Sequence, residues 1–266
     1  MLRLLCLKCI HTPIGYHHNL TFDLTPKQTP VLYMPFTIRP VVPEDTPALS
    51  RICLLTGHAG QSAEPLHRQG ELLGLVWALP YVLLPPETAQ TWGFVLADDA
   101  APDGDHTTKV IKGYILGSSD TRAFERATEG EWWPALRTRF PLSSEVDDER
   151  TTADQDYIDL IHRAPDVAPE ACIAVSPAHM HINLLPEVQR HGWGRKLIGR
   201  AVDHLRGQQI GALWVGMDER NVAARIFYEK LGFRGIEGAP DKLMALDFEA
   251  GTWARASAAA NQNRCD

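Results

Sequence analysis

Cysteines are few in this 266-residue chain, and no apolar run is long enough to cross a membrane. The five cysteines are odd in number and irregularly spaced, which argues against a disulfide framework and favours a reducing compartment, the cytoplasm or the nucleus. Cys6 and Cys9 lack a second ligand pair at a suitable spacing, so no metal site is predicted. The longest apolar stretch, 72–84, contains Pro80 and is shorter than the roughly 20 residues of a bilayer span, so it predicts a buried core helix and no membrane partner.

Positive charge is also in deficit, because 26 lysines and arginines face 33 acidic residues and leave a formal net charge of −7. This deficit argues against nucleic acid as a partner, since binding to phosphate backbones relies on a basic surface, and it mildly favours cationic partners. Hydrophobic residues make up 44% of the chain, which is enough to bury a core. The composition therefore predicts a folded protein.

Strand and helix patterns alternate along most of the chain and predict an α/β sandwich. Residues 1–33 are expected to be a poorly ordered extension or a start-site artefact, 34–250 one domain with a helical insert at about 121–170, and 251–266 a flexible tail. Strands are predicted near 36–42, 91–97, 109–117, 179–185, 213–217 and 242–248. Helices are predicted near 44–58, 65–79, 194–206 and 221–231.

The strand at 179–185 leads into a loop with two glycines, Gly192 and Gly194, at the start of a helix. The first N–H groups of a helix have no partner within it, and the helix dipole favours negative charge there. Basic side chains add to this charge: Arg190, Arg195 and Lys196. The loop predicts a phosphate or pyrophosphate ligand, although an ordinary turn with solvated basic residues would look the same. No Gly-Lys-Ser/Thr or third glycine is present, which excludes a P-loop and a dinucleotide fingerprint.

Two motifs carry a resemblance to a known family. The segment 189–194, Gln-Arg-His-Gly-Trp-Gly, resembles the Gln/Arg-x-x-Gly-x-Gly/Ala acetyl-CoA loop of GNAT acetyltransferases. The segment 221–233 resembles that family's second signature, Asn-x-x-Ala-x-x-Leu/Phe-Tyr-x-Lys-x-Gly-Phe. The likeness covers about 36–248 and implies a GNAT fold, which is a central mixed, twisted sheet with a splayed parallel strand pair and flanking helices, here with a helical insert.

Three further segments, 113–124, 131–137 and 179–186, are similar to the acetyltransferase-like domain that accompanies O-GlcNAcases and to its stand-alone bacterial and fungal relatives. Some members of that group have lost coenzyme binding. In this chain the loop glycines and the flanking cations are present, which favours retention of the coenzyme.

The resemblance implies acetyl-CoA as the coenzyme and an N-acetyltransferase as the enzyme class. The implied coenzyme-binding residues are Leu184, Leu185, Gln189, Arg190, His191, Gly192, Trp193, Gly194, Arg195, Lys196, Asn221, Ala224, Phe227, Tyr228 and Lys230. The backbones of Leu184 and Leu185 would contact the pantetheine arm and the acetyl group. Tyr228 matches the position that protonates or stabilises the departing thiolate, although a helix tyrosine with a solvated hydroxyl is the alternative.

The attacking amine needs a general base, because an amine with a pKa of about 10.4 is almost entirely protonated at pH 7. The candidates are Asp120, His181 and Asn183. Relatives often carry an aspartate where Asn183 stands, and asparagine cannot act as a base, so the role moves to Asp120 or His181. Asp120 could instead close a turn, and His179 is expected to form part of the polar wall of the cleft.

Trp132 and Trp133 lie on the insert that would cover the acceptor site, and aromatic faces suit a sugar ring or an aliphatic amine stem. The alternative is that they anchor the insert. The acceptor is expected to be a small primary amine such as glucosamine, with a protein or histone lysine as the other option, and the enzyme a monomer or homodimer. An inactive pseudo-acetyltransferase that serves as a binding module is the alternative function.

Overall fold

The computed structural model describes residues 36–99, 110–142, 150–250 and Trp253. The extension predicted at 1–33 and, apart from Trp253, the tail at 251–266 lie outside the described residues. The strands are β1 Phe36–Pro40, β2 Thr91–Asp98, β3 Val110–Ser118, β4 His179–Leu184, β5 Ala212–Gly216, β6 Arg234–Gly235 and β7 Leu243–Asp247. The α-helices are α1 Thr46–Thr56, α2 Glu71–Trp77, α3 Pro80–Leu83, α4 Pro86–Ala89, α5 Thr121–Ala127, α6 Trp133–Arg139, α7 Thr152–Arg163, α8 Glu170–Val175, α9 Trp193–Gly207 and α10 Val222–Leu231.

The strands form a single sheet of seven in the order β1-β2-β3-β4-β5-β7-β6. The pairs are antiparallel except for β4 and β5, which run parallel and pair only at His179 with Trp214 and at Met180 with Val215. Within the described chain the remainder of β4 has no partner on the β5 side. The predicted α/β fold with a splayed parallel pair is therefore confirmed.

Side chains of β4 alternate between the two faces of the sheet, as its sequence predicted. Met180, Ile182 and Leu184 join the apolar cluster that contains the buried face of α9. Leu185 also packs on the opposite cluster, which is built from α1, β2 and β3. The sheet is thus covered by helices on both faces, and β4 lies between the two cores.

The apolar stripe of α9 is buried as predicted, since Leu197, Ile198 and Leu205 are each 0% exposed. The prediction for α10 is partly wrong, because Val222 is 62% and Ile226 is 45% exposed. The helix contacts the core through the face that carries Tyr228 and Leu231, so Val222 and Ile226, on the opposite face, remain at the surface. The left-handed cap predicted at Gly232 is present, with a φ of 104°.

The helix predicted at 65–79 is shorter in the structure and begins only at Glu71. The cause is Asp154 of α7, whose carboxylate accepts hydrogen bonds from the backbone N–H groups of Arg68 (3.1 Å) and Gln69 (3.3 Å) and contacts the His67 ring at 2.9 Å. These bonds compete with a helical ladder and hold 67–69 against the insert. The insert is helical as predicted, through α5, α6, α7 and α8.

Candidate active site

The loop before α9 places two residues in the left-handed region, Arg190 with a φ of 61° and Gly192 with a φ of 83°. Gly192 is the N-cap of α9, and its carbonyl accepts the first hydrogen bond of the ladder from Lys196 N–H at 3.1 Å. The N–H groups of Trp193, Gly194 and Arg195 therefore have no partner in the helix. Free N–H groups and the positive end of a helix dipole favour an anionic ligand at such a position.

Three cations surround these amides without a carboxylate partner among the described residues: Arg190, Arg195 and Lys196. Lys196 Nζ lies 3.9 Å from the centre of the Trp193 ring, and the Arg195 guanidinium lies 4.7 Å from the centre of the Trp253 ring. In a protein with an acidic net charge, cations without counter-ions at a helix N-terminus favour a strongly anionic ligand such as a diphosphate.

Gly194 is required by close packing. A Cβ at this position would lie 2.8 Å from Phe227 Cζ and 3.3 Å from Leu184 Cδ1. The missing side chain lets the start of α9 approach both α10 and the end of β4. The loop, the strand and the predicted wall residue Phe227 are thus brought together, as the sequence indicated, with Ala224 also half-buried at this cluster.

The free edge of β4 exposes backbone groups toward the gap between β4 and β5. Leu185 N–H donates to Lys112 O at 2.9 Å on the β3 side. Because backbone groups alternate in direction along a strand, the N–H and C=O groups of Ile182 and Leu184 point toward the gap. Gln189 Nε2 donates to Leu184 O at 2.8 Å and helps to fix the loop. Leu184 therefore lies where the sequence placed it, whereas the N–H of Leu185 is already bonded to β3. Ile182 is the edge residue that the sequence reasoning missed.

Asn221 lies at the N-terminus of α10, and Tyr228 lies on the face of this helix that is buried. Asn221 Oδ1 accepts the Ala224 N–H at 3.0 Å as the helix N-cap. Tyr228 is 5% exposed, and burial raises the pKa of its phenol above the usual range. Its hydroxyl is therefore protonated at neutral pH and can donate a proton or a hydrogen bond. The other predicted coenzyme residues, His191 and Lys230, are exposed on the loop and on α10.

Asn183 belongs to a buried chain of three side chains. Its Nδ2 donates to Tyr114 Oη at 3.0 Å, and that hydroxyl lies 2.9 Å from Cys53 Sγ. Because the Tyr114 oxygen accepts from Asn183, its own proton is directed to the sulfur. Burial raises the pKa of the Cys53 thiol to about 12, so the chain is uncharged. Asn183 Oδ1 accepts from none of the described residues and remains available to a ligand.

His181 lies next to this chain, between two aromatic rings. Its ring is nearly parallel to those of Trp77 and Tyr114, at centroid distances of 6.3 Å and 6.1 Å. Its Nε2 is buried and has no hydrogen-bond partner among the residues that the structure describes. Burial lowers the pKa of His181 to about 4, so the imidazole is neutral at pH 7 and holds an unused polar atom.

Trp77, at the end of α2, is 39% exposed and was not predicted as a site residue. Its Nε1 donates to Tyr157 Oη at 3.1 Å, and Tyr157 packs edge-on against His67, the partner of Asp154. The insert therefore fixes the position of Trp77 beside His181. Its only sequence signal is that it is a tryptophan within the apolar run 72–84, and nothing in the sequence links it to Tyr157.

Asp120 and His179 are used by the fold. Asp120 Oδ1 accepts the Ala123 N–H at 2.9 Å and caps α5, which is the turn-closing alternative considered for it. His179 is 6% exposed, and its two ring nitrogens lie 2.8 Å from Tyr81 Oη and 2.7 Å from Thr121 Oγ1. A ligand would have to displace these bonds to reach His179.

The two tryptophans of the insert have the arrangement of the anchoring alternative. Trp133 is 5% exposed within the cluster formed by α2, α6 and α7. Trp132 Nε1 donates to Leu75 O at 2.9 Å, so its indole ties the insert to α2. On the insert side, the aromatic ring nearest to His181 and Asn183 belongs to Trp77 and not to Trp132 or Trp133.

In the described ranges, no group of three or more metal-ligating side chains lies close enough to hold a metal ion. The helices in these ranges include none that is both long and apolar enough to cross a bilayer.

Comparison with known proteins gives a consistent set of relatives. The sequence profile of the acetyltransferase (GNAT) family matches residues 154–233. The crystal structure of SsHAT superposes with a TM-score of 0.65 at 32% identity, over 79% of this chain and 96% of that one.

Two curated relatives match over different lengths. Protein O-GlcNAcase of Rattus norvegicus is 26% identical over 241 residues, which cover 88% of this chain but 24% of the O-GlcNAcase. The chain thus spans about a quarter of the length of that relative. The [ribosomal protein bS18]-alanine N-acetyltransferase of Haemophilus influenzae is 35% identical over 57 residues, or 21% of this chain and 38% of that enzyme.

Proposed function

We propose that this chain, which belongs to the acetyltransferase (GNAT) family, moves the acetyl group of acetyl-CoA to a small primary amine. The family and the enzyme class predicted from the sequence are confirmed by the family profile and by the SsHAT structure. The observation that carries the proposal is the N-terminus of α9 next to the open edge of β4. Its three cations have no carboxylate partner in the described part of the chain.

The described residues fit acetyl-CoA. A diphosphate needs several N–H donors and positive charge, and the start of α9 offers both. An extended arm needs a free strand edge, and Ile182 and Leu184 provide one. Gly194 leaves room for α9 to approach Phe227, which would form the wall beside the arm. Bound acetyl-CoA supplies the thioester whose acetyl group is transferred.

Tyr228 is proposed to serve the departing thiolate. Its phenol stays protonated because burial raises its pKa. The side chain lies in the same apolar cluster as Met180, the last residue of β4 that pairs with β5. This shared cluster supports a role in which the Tyr228 hydroxyl gives a proton or a hydrogen bond to the thiolate sulfur.

His181 and Asn183 are proposed to serve the amine. His181 is neutral at pH 7, so it can accept the proton that the amine nitrogen loses as the new C–N bond forms. Asn183 Oδ1 can accept a hydrogen bond from the same amine and orient it. Asp120 and His179 are assigned supporting roles, because their hydrogen bonds already hold α5 and β4 in place.

The proposed acceptor is an amino sugar such as glucosamine. Trp77 supports this choice, because its 39% exposed ring offers an apolar face to a sugar beside His181. The match to O-GlcNAcases, whose name refers to a modified amino sugar, points in the same direction. A protein lysine is the competing acceptor and is included as an arm of the test.

The first experiment measures thermal unfolding with and without acetyl-CoA. At a concentration one hundred times the dissociation constant, the coenzyme should stabilise the protein by about 2.7 kcal/mol, or about 5–11 °C for a domain of this size. Lys196→Gln should weaken binding about tenfold, whereas Arg200→Gln, a matched change further along α9, should leave it unchanged. No stabilisation of the unmodified protein would refute the proposal.

The second experiment measures thiol release from acetyl-CoA with glucosamine, polyamines, amino acids and histone peptides. We expect release with glucosamine and little with the peptides. If acetyl-CoA binds but no amine releases thiol, the chain is a binding module that has lost catalysis, and the acetyltransferase proposal is wrong.

A further inference from the structure

The proposed function places the amine beside Trp77, Tyr114, His181 and Asn183, and we call these four side chains the acceptor pocket. They are uncharged groups. The hydroxyl of Tyr114 is held by Asn183 and Cys53, and both Tyr114 and Cys53 have a raised pKa because they are buried. The neighbouring His179 is neutral for the same reason, with its pKa lowered to about 3. Tyr157, behind Trp77, also has a raised pKa because it is buried.

No carboxylate of the described residues is hydrogen-bonded or ion-paired to His181 or Asn183. Burial alone lowers the pKa of His181, and no acidic neighbour raises it. On this side, the charge of Asp218 contributes to the raised pKa of Tyr157. Its carboxylate is already paired with Arg220 at 2.7 Å. Among the described residues, the side chains that contact His181 and Asn183 therefore offer an incoming ammonium no counter-ion.

The pocket nevertheless has two hydrogen-bonding atoms without partners in the described chain, His181 Nε2 and Asn183 Oδ1. Both suit an uncharged amine, which can donate and accept hydrogen bonds at once. An ammonium ion can only donate, and it loses its hydration without gaining an opposite charge.

We infer that the acceptor pocket takes its amine in the uncharged form, so that its substrates are primary amines of low basicity with an electron-withdrawing oxygen or carbonyl beside the nitrogen. This inference rests on the proposed function and narrows its substrate class. Amino sugars and α-amines belong to this class, whereas the side-chain amine of lysine does not.

Selection for the uncharged form makes affinity depend on pH in a way set by the amine. The uncharged fraction of an amine with a pKa of about 10.4 rises about a hundredfold from pH 7 to pH 9. For an α-amine with a pKa of about 7.7–8.0 it rises only about six- to tenfold. His181 has its pKa at about 4, so the imidazole does not titrate in this range and adds no pH dependence of its own.

The test is calorimetric binding of amines to the full chain saturated with coenzyme A, at pH 7, 8 and 9. Probes are glucosamine, an amino-acid amide and Nα-acetyl-lysine amide, so that the arms separate the sugar from the α-amine. We expect the affinity of the lysine probe to rise about a hundredfold across this range, with about one proton released per bound amine at pH 7. An affinity that does not change with pH, as for an ammonium ion bound over the aromatic rings, would overturn the inference.

A variant adds the missing charge. Asn183→Asp should let the pocket bind the ammonium form, which should raise the affinity of the lysine probe relative to glucosamine at least tenfold at pH 7 and reduce the proton release. Gln208→Glu, the same change in net charge at the exposed end of α9, should alter neither quantity.

Two outcomes separate the inference from the proposed function. A failure of coenzyme A to bind refutes the function, whereas coenzyme binding without any amine binding refutes the inference. If Asn183→Asp does not fold, the pH series on the unmodified protein still decides.

Discussion

The close approach at Gly194 can be tested by comparing two identical substitutions in one helix. In Gly194→Ala the new Cβ would lie 2.8 Å from Phe227 Cζ, well inside the roughly 3.5–4.0 Å of an optimal carbon contact. Gly199→Ala, in the middle of α9, meets no neighbouring atom within 4 Å. The second change should therefore stabilise the protein by about 1 kcal/mol through helix propensity alone.

In Gly194→Ala, overpacking should cost about 1–3 kcal/mol and offset the gain from helix propensity. In a domain of this size, a loss of 1 kcal/mol in the free energy of unfolding lowers the melting temperature by about 2–4 °C. The melting temperature of Gly194→Ala should therefore lie about 2–12 °C below that of Gly199→Ala. Because the Phe227 ring, which forms the wall of the proposed coenzyme site, must shift, Gly194→Ala should also weaken acetyl-CoA binding about tenfold, or 1.4 kcal/mol. Thermal melts and calorimetry measure both effects. Equal melting temperatures and equal affinities in the two variants would show that the contact has no role.

Three further outcomes are expected. Tyr228→Phe should lower kcat about a hundredfold in the thiol-release assay while calorimetry shows unchanged acetyl-CoA affinity; an unchanged kcat would remove Tyr228 from the chemistry. Burial opposes ionisation of Asp154, but hydrogen bonds led by the Thr151 N–H outweigh this effect and lower the pKa of the carboxyl group. The ionised group therefore stabilises the fold at a pH above its unfolded pKa of about 3.9. This contribution is lost as the pH falls through the lower pKa of the folded state. Asp154→Asn should cost about 1–3 kcal/mol of folding stability at pH 7. It should also make the melting temperature depend less on pH between pH 2 and 6, and an unaltered pH profile would contradict this. Asn221→Ala should cost about 1 kcal/mol through loss of the α10 cap, and Asn221→Asp should restore it in the same melts.

Local patterns predicted much of the fold correctly. The stripe of α9 and the cap at Gly232 depend on neighbours within a few residues, which the sequence displays directly. The burial of α10 was only partly predicted, because Val222 and Ile226 are apolar yet face outward. Hydrophobicity marks which side chains could be buried, but the position of the helix relative to the sheet determines which ones are.

The acceptor side shows the same limit. Trp132 and Trp133 drew attention as a conspicuous pair, yet the packing of the insert buries Trp133 and ties Trp132 to α2. Trp77 takes the place beside His181 because Tyr157, 80 residues away in sequence, holds its indole. Such pairings between distant segments leave no periodic trace in a single sequence.

The proposed anion site can be predicted from local sequence, because the loop glycines, the helix start and the basic residues lie within eight positions, from Gln189 to Lys196, and act through backbone geometry and the helix dipole. The character of the proposed acceptor pocket depends instead on contacts between distant segments. Its neutrality comes from Cys53, Tyr114 and Asn183, which meet from α1, β3 and β4, and from burial that keeps His181 uncharged. Whether a side chain carries charge depends on what the fold places around it.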